Sequence, residues 1–170
     1  MDINSPVATL QKIGPKYKFL LNKLDINTIG DLLYHFPFRY DDYSQIKAII
    51  SLIENEVVTI KASLLKVDNI FTRNGKRLTR AKVQDETGSA DIIWFNQHYL
   101  KSTLTLNTQY NWSGKVVKIG NKLGLISPSF EETKEVSLNT GRLVPVYPET
   151  AGVTSKWIRT RINDVACLIN

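Results

Sequence analysis

The sequence predicts a mainly β chain: a five-stranded closed barrel with helical segments before and after it. Three observations carry this. Residues 57–130 contain successive stretches in which apolar and polar residues alternate, the period of strands with one buried face. Asn74-Gly75 separates the first two stretches, a strong hairpin signal because a type I′ turn needs positive φ at both central residues. Before residue 37 and after residue 154, apolar residues recur every three or four positions instead, as half-buried helices require.

Taken in order, Leu10, Ile13, Phe19, Leu20, Leu24, Ile29, Leu32, Leu33 and Phe36 form the expected buried faces of helices within residues 5–36. Gly14-Pro15 breaks the run, and Pro15 suits the first turn of a new helix. Asn27-Thr28 offers a cap for a further short helix, which Pro37 should stop. Gln11-Lys12-Ile13-Gly14-Pro15-Lys16 resembles the second half of a helix-hairpin-helix motif, whose hairpin amides hold a DNA phosphate. Lys12 stands where that motif has its first glycine, so the expected role is a helical packing unit that braces the barrel. Residues 38–45 read as a polar connector.

Val58, Ile60, Ala62 and Leu64 then alternate with polar residues, and Leu65 and Val67 continue on the opposite phase. A one-residue shift inside a long strand predicts a β-bulge, the device that bends one strand into two sides of a small barrel. In the second strand Thr79, Ala81 and Val83 face one way, leaving Arg80, Lys82 and Gln84 to face outward. Asp85-Glu86-Thr87-Gly88 is a turn, and Ala90, Ile92 and Trp94 alternate with Asp91, Ile93 and Phe95 in a third strand. A short helix over 96–104 leads to strands over 109–119 and 122–130, joined across Gly120-Asn121. Three strands, a helix and two strands is the order of the oligonucleotide-binding (OB) fold, a five-stranded Greek-key barrel whose exposed face and loops bind nucleic acid. Residues 142–149 read as extended, with Pro145 and Pro148 denying them a central place in a sheet. From Thr154, a capping residue type, Ile158, Ile162, Val165 and Ile169 form the apolar stripe of a last helix. The expected division is a helical unit over 1–45, the barrel over 50–135, and a connector with its helix over 136–170, leading toward something further.

Charge is distributed unevenly. Residues 1–56 hold 6 Lys/Arg against 7 Asp/Glu, residues 57–130 hold 11 against 4, and residues 131–170 hold 5 against 5. The whole formal excess of +6 therefore arises in the predicted barrel, and a polyanion, nucleic acid, is the expected partner. At 170 residues the chain suffices for one sizeable domain with appendages or for two small ones. No apolar run approaches the roughly 20 residues needed to span a bilayer. Met1-Asp2-Ile3-Asn4-Ser5-Pro6 lacks a basic start followed by an apolar core, so no secretory leader is expected. Cys167 is the only cysteine, which excludes an intrachain disulfide or a thiol zinc cluster and predicts a cytoplasmic setting, with Cys167 as a small buried apolar residue.

Catalytic signatures are missing. No G-x-x-x-x-G-K-[ST] loop occurs; Gly114-Lys115-Val116 lacks the upstream glycine and the hydroxyl after the lysine. His35 and His98 are the only histidines, neither lies in H-E-x-x-H, and no nucleophile motif is present. His35 reads as a helix-end packing residue, and His98 as a solvent-facing helix residue beside the basic surface or, alternatively, a phosphate contact. No catalytic residue, metal or cofactor is expected in this chain. Within Trp94-Phe95-Asn96-Gln97-His98-Tyr99-Leu100 a strand runs into a helix. If that helix begins at Asn96, Phe95 and Tyr99 project to one side a turn apart. They are then either core residues or a place for a base to stack. Trp94, on the face of Ile92, reads as core, and Trp112 and Trp157 as structural.

Leu10-Gln11-Lys12-Ile13-Gly14-Pro15-Lys16, Asp31-Leu32-Leu33-Tyr34-His35-Phe36-Pro37-Phe38-Arg39-Tyr40, Trp94-Phe95-Asn96-Gln97-His98-Tyr99-Leu100 and Gly141-Arg142-Leu143-Val144-Pro145-Val146-Tyr147-Pro148 occur in this order over nearly the whole chain. Together they resemble the amino-terminal wedge region of the RecG family of bacterial ATP-dependent DNA helicases. The resemblance implies an OB-like barrel at the branch of a stalled replication fork or Holliday junction. Motor domains of the same natural chain, absent here, would use ATP and Mg to pull the duplex arms past it during fork reversal, in DNA repair and recombination. It implies that Phe95 and Tyr99, the Phe and Tyr of a W-F-x-x-x-Y block, stack on bases at the junction. Arg73, Lys76, Arg77, Arg80, Lys82, Asn96, Gln97, Lys101 and Lys115 are the expected backbone contacts, with Lys101 and Lys115 flanking the aromatic stretch. A monomer in the cytoplasm, associated with the nucleoid, is expected. The alternatives are a free-standing OB protein that binds single-stranded DNA or RNA, and a protein-interaction module built on the apolar helix after Thr154.

Overall fold

Gly14 and Pro15 start the first α-helix, α1 (Pro15–Asn22), with Gly14 extended as its cap and Pro15 at its first position. The turn before it is made by Lys12 at φ 68°, the left-handed conformation for which the related motif uses glycine. The next helix, α2 (Ile29–Leu33), is closed by a capping box. The Thr28 hydroxyl accepts from the Asp31 amide at 3.0 Å, and the Asp31 carboxylate accepts from the amides of Thr28 and Asn27 at 2.8 and 3.0 Å. These bonds, the one from Thr28 first, hold the Asp31 carboxyl below its ordinary pKa. Residues 38–45 are not wholly connector, because they contain β1 (Arg39–Asp42), which pairs with β7 (Leu143–Val146) in a two-stranded sheet. Pro145 is accommodated because such a ribbon has two edges and no centre. The last helix, α4 (Ser155–Ile169), starts where Thr154 caps it, its hydroxyl accepting from the Trp157 amide at 3.3 Å.

The computed structural model describes residues 2–72, 75–133 and 138–169. Its two compact units are Met1–Asp41 with Val144–Asn170, and Asp42–Leu143. The first contains α1, α2 and α4. Where the sequence suggested a separate 136–170 segment, Val153, Ile158 and Val165 share one core with Val7, Leu21, Ile29 and Leu32. The boundary expected between 135 and 136 falls outside the described residues. In this unit Trp157 stacks on Tyr17 at 4.8 Å, and His35 stacks on Tyr147 at 5.9 Å.

Three residues expected inside are outside. Phe19 is exposed because short α1 buries Leu21, two residues and about 200° of helix away. Phe36 is exposed because α2 has already ended at Leu33, where helical spacing stops applying. Cys167 is likewise exposed, about 200° around α4 from buried Val165. The side chain of Ile169 lies outside the described set.

The second unit is the barrel. Its strands are β2 (Val57–Phe71), β3 (Arg77–Gln84), β4 (Ser89–Phe95), β5 (Gln109–Ile119) and β6 (Lys122–Glu132), with α3 (Leu100–Thr103) between β4 and β5. They close in the order β2-β3-β4-β6-β5. The predicted bulge is present, since the β2–β3 register shifts between Leu64 and Lys66, and β2 passes from pairing with β5 to pairing with β3. Thr72 receives a bond from Gly75 and donates to Lys76 at the hairpin, while the type I′ reading of Asn74 falls outside the described residues. Inside lie Trp94, Trp112 and Tyr110, with Phe130 partly buried against them. The indoles find internal acceptors: Trp94 Nε1 donates to the Pro128 carbonyl at 3.1 Å and Trp112 Nε1 to the Ala62 carbonyl at 3.0 Å.

Closure depends on a parallel pairing of β4 with β6, in which Asp91 faces Gly124. A Cβ at Gly124 would collide with the Asp91 carbonyl oxygen. Gly124→Ala is therefore expected to destabilise the protein by about 3 kcal/mol, read as a lower midpoint in urea unfolding.

The turn after β3 ties the lead-in to β2. Burial opposes ionisation of Asp85, but bonds from the Thr87 hydroxyl and the amides of Ile49, Thr87 and Gly88 outweigh it and lower its pKa. A depressed carboxyl contributes stability above the unfolded value near 3.8 and loses it as pH falls through the folded one. Asp85→Asn should thus be less stable than the parent at pH 7, with the gap closing below pH 3.8; unfolding midpoints across pH 2–7 would check this.

Candidate nucleic-acid interface

Strand alternation sets the direction of the aromatic pair's first member. Trp94 is 1% exposed in the barrel, so its neighbour Phe95 points outward, 45% exposed. On the outer face Phe95 is in register with Leu78 of β3, and Leu78 with Ile70 of β2, which makes a partly exposed apolar strip. At Asn96 the chain leaves the strand with φ 56°, a left-handed turn that asparagine tolerates. The helix expected from Asn96 therefore begins only at Leu100, with Tyr99 as its cap. Phe95 and Tyr99 are not one helical turn apart, and no ring contact among the described residues joins them.

What holds the intervening loop is a small polar knot. The buried Thr79 hydroxyl shares its proton between Asn69 Oδ1 at 2.8 Å and the Gln97 carbonyl at 3.0 Å. Asn69 Nδ2 donates to the His98 carbonyl at 3.3 Å, and the Asn96 amide donates to the Arg77 carbonyl at 3.2 Å. Leu100, 1% exposed, pins the far end. His98 is consequently half-buried in the loop and is not a solvent-facing helix residue. Tyr99 remains 61% exposed, its hydroxyl donating to Gln97 Oε1 at 3.3 Å.

The predicted cations separate into bound and open ones. Arg80 faces outward as expected, but it grips Asp91 through Nε at 3.3 Å and Nη2 at 2.8 Å. Hydrogen bonding to Asp91 raises its pKa further. Lys101 lies 3.8 Å from Asp68, which Lys66 engages at 2.8 Å and thereby keeps ionised. Lys76, Arg77 and Lys82 are exposed with no carboxylate partner among the described residues. The Arg77 guanidinium lies 5.5 Å from the Phe71 ring centroid. Arg73 falls outside the described residues. Lys115 sits on the outer face beside Ile126, which pairs with Ile93, so it lies two strand spacings, about 10 Å, from β4.

Two features escaped the sequence. Phe71 is 68% exposed, because the inward phase of β2 runs past the end of the barrel there. The signal was its position as the last alternating residue before the hairpin. A groove of about 550 Å³ also lies between Lys66, Arg80 and Lys82 on one side and the β5–β6 turn with Lys122 on the other.

A closed five-stranded barrel with this strand order, carrying exposed rings and open cations around one hairpin, is an OB-fold domain with a surface suited to nucleic acid. The family model of the RecG wedge domain matches residues 6–169, and the chain belongs to that family. The ATP-dependent DNA helicase RecG of Thermotoga maritima is 30% identical over 166 residues, covering 94% of this chain and 20% of that protein. That of Staphylococcus aureus is 32% identical over 179 residues, covering 96% of this chain and 25% of the relative. The chain thus spans about a quarter or less of these relatives. A solved structure described as RecG bound to a three-way DNA junction superposes with a TM-score of 0.80 at 24% identity, over 96% of this chain and 23% of that one. Among the described residues no helix is long and apolar enough to cross a membrane, and no cluster of His, Cys, Asp or Glu is arranged to hold a metal.

Arg80 has a carboxylate partner and Lys82 has none among the described residues, which implies different costs of removal. Asp91 is only 16% exposed at its side chain, so Arg80→Gln strands a carboxylate and should cost about 1 kcal/mol. Lys82→Gln should leave stability unchanged, and parallel urea unfolding of the two variants would tell them apart.

Proposed function

We propose that this chain is the branched-DNA-binding wedge module of a RecG-type ATP-dependent DNA helicase. The observation that carries the reading is the pair Phe95 and Tyr99: two exposed rings, each next to a fully anchored residue, Trp94 and Leu100, at the end of a barrel strand. Family membership and the likeness to a RecG described as bound to a three-way junction support it.

In this reading the rings cap bases at the junction. Each stack is worth about 1–3 kcal/mol, comparable with the roughly 1.4 kcal/mol of stacking lost per opened step. The module therefore stabilises the split end and does not drive unwinding. ATP and Mg²⁺ are assigned to motor domains outside these residues, since no phosphate-binding loop occurs in them. Lys76, Arg77 and Lys82 hold the backbone without reading sequence, with Asn96 and Gln97 presenting polar groups beside the rings. The proposed setting is a cytoplasmic monomer that works on forks and Holliday junctions in repair and recombination.

A three-way fork, a duplex and a single strand of equal length should bind in that order of affinity. Phe95→Ala and Tyr99→Ala should each weaken fork binding by about fivefold or more. Equal affinity for the three DNAs, or full binding by both variants, would sink the reading. Affinity that rises with single-strand length and ignores the junction would point instead to a single-strand binder.

A further inference from the structure

We infer that Phe71 and Arg77 form a second base platform, on the opposite face of the β2–β3 ribbon from Phe95, for an unpaired DNA strand leaving the branch. The inference rests on the fork reading above and says where the other strand goes.

Alternation along the ribbon supplies the geometry. Phe71 and Arg77 are directly in register at the hairpin end, and so are Ile70 and Leu78 behind them. Successive residues point to opposite faces, so Phe71 and Arg77 share a face with buried Thr79, while Ile70 and Leu78 share the other with Phe95. The loop that carries Tyr99 lies on the Phe71 face, because the carbonyls of Gln97 and His98 are held by Thr79 and Asn69. The ribbon thus has an exposed ring on each side and its own backbone between them.

Chemistry at the platform fits a nucleotide. Phe71 is 68% exposed, more than Phe95 or Tyr99, and Arg77 lies 5.5 Å from its ring centroid. One face of the ring is left for a base, while the guanidinium keeps donors free for a phosphate. Lys76 and Arg77 at this end are exposed and have no carboxylate partner among the described residues, which favours an anionic partner, and the exposed ring beside them suits a base. Two strand spacings, about 10 Å, or roughly three base rises of 3.4 Å, separate the backbones of Phe71 and Phe95, whose rings point to opposite faces. The strand ends beside the platform are tied together: the Thr72 amide donates to the Lys76 carbonyl at 2.9 Å and the Lys76 amide to the Thr72 hydroxyl at 3.1 Å.

The test uses this chain and three-way forks carrying 2-aminopurine at successive unpaired positions of either strand. Phe71→Leu keeps an apolar side chain at an exposed site and removes only the ring, and its melting temperature should match the parent's. The expected result is an emission change near the branch on one strand that Phe95→Leu abolishes. A second, within about three nucleotides on the other strand, should be abolished by Phe71→Leu, with an affinity loss of about fivefold or more. Arg77→Gln should lower the salt dependence by about one phosphate contact. If Phe95→Leu is impaired while Phe71→Leu binds and reports like the parent, the second platform is overturned and the fork reading stands. If neither variant matters and forks bind like duplex, both fall.

Discussion

Everything at the surface of this barrel depends on how it is closed. The parallel contact between Asp91 and Gly124 brings β4 against β6, and the Trp94 indole reaches across to the Pro128 carbonyl. These two contacts fix the rotation of β4 about its axis. Because the side-chain period of a strand is two, fixing Trp94 inward fixes Phe95 outward, and a slip of one residue would exchange them. The exposure of Phe95 is thus a consequence of core packing: a large, hydrogen-bonded indole has only one place to go. The left-handed Asn96 then takes the chain off the strand, and Thr79 and Asn69 receive the loop.

Electrostatics sharpen the same region. Of the outward cations on β3, Arg80 is held by Asp91, while Lys82 lies in register with Lys66 on one side and Asp91 on the other. Like charges directly opposite are unfavourable in a sheet, and Asp68 and Asp91 offset that cost along the barrel's flank. Toward the hairpin no acid is available, so the uncompensated charge concentrates at Lys76 and Arg77, beside Phe71. The net charge of the segment is therefore a poor guide to its surface. Position relative to Asp68 and Asp91 decides which cations remain open.

Much of the barrel was legible in the sequence because period-two alternation is a strong local signal: Thr79, Ala81, Val83, Ala90, Ile92 and Trp94 are all buried as read. The bulge near Leu64, the helix start at Pro15, the cap at Thr28 and the start of α4 were legible for equally local reasons. What failed involved termination or distant pairing. Nothing local says that Asn96 will adopt positive φ, so the helix was started four residues early. β1 exists only through β7, roughly a hundred residues later, and short-range pattern cannot show that. Cys167 was misplaced by reading residue type over helical angle, and Phe19 by an apolar spacing that the short α1, which buries Leu21, does not follow. Arg80 was read as open because its partner lies eleven residues away on another strand.

The physical division of labour follows from stiffness. A ring splits a base pair only if it stays in place while the DNA moves, and a half-exposed side chain on a loop would instead fold away. Phe95 and Tyr99 each have a buried neighbour as anchor, Trp94 and Leu100, while Phe71 stands two residues beyond Asn69, which is half-buried and bonded to Thr79. The entropic cost of ordering the platform is met during folding and not at binding, which leaves more of each stacking energy available as affinity. Stacking of this size balances the opening of a step without exceeding it by much. In the proposed reading, a domain so built would favour the open branch yet release it readily, as repeated advance along DNA demands.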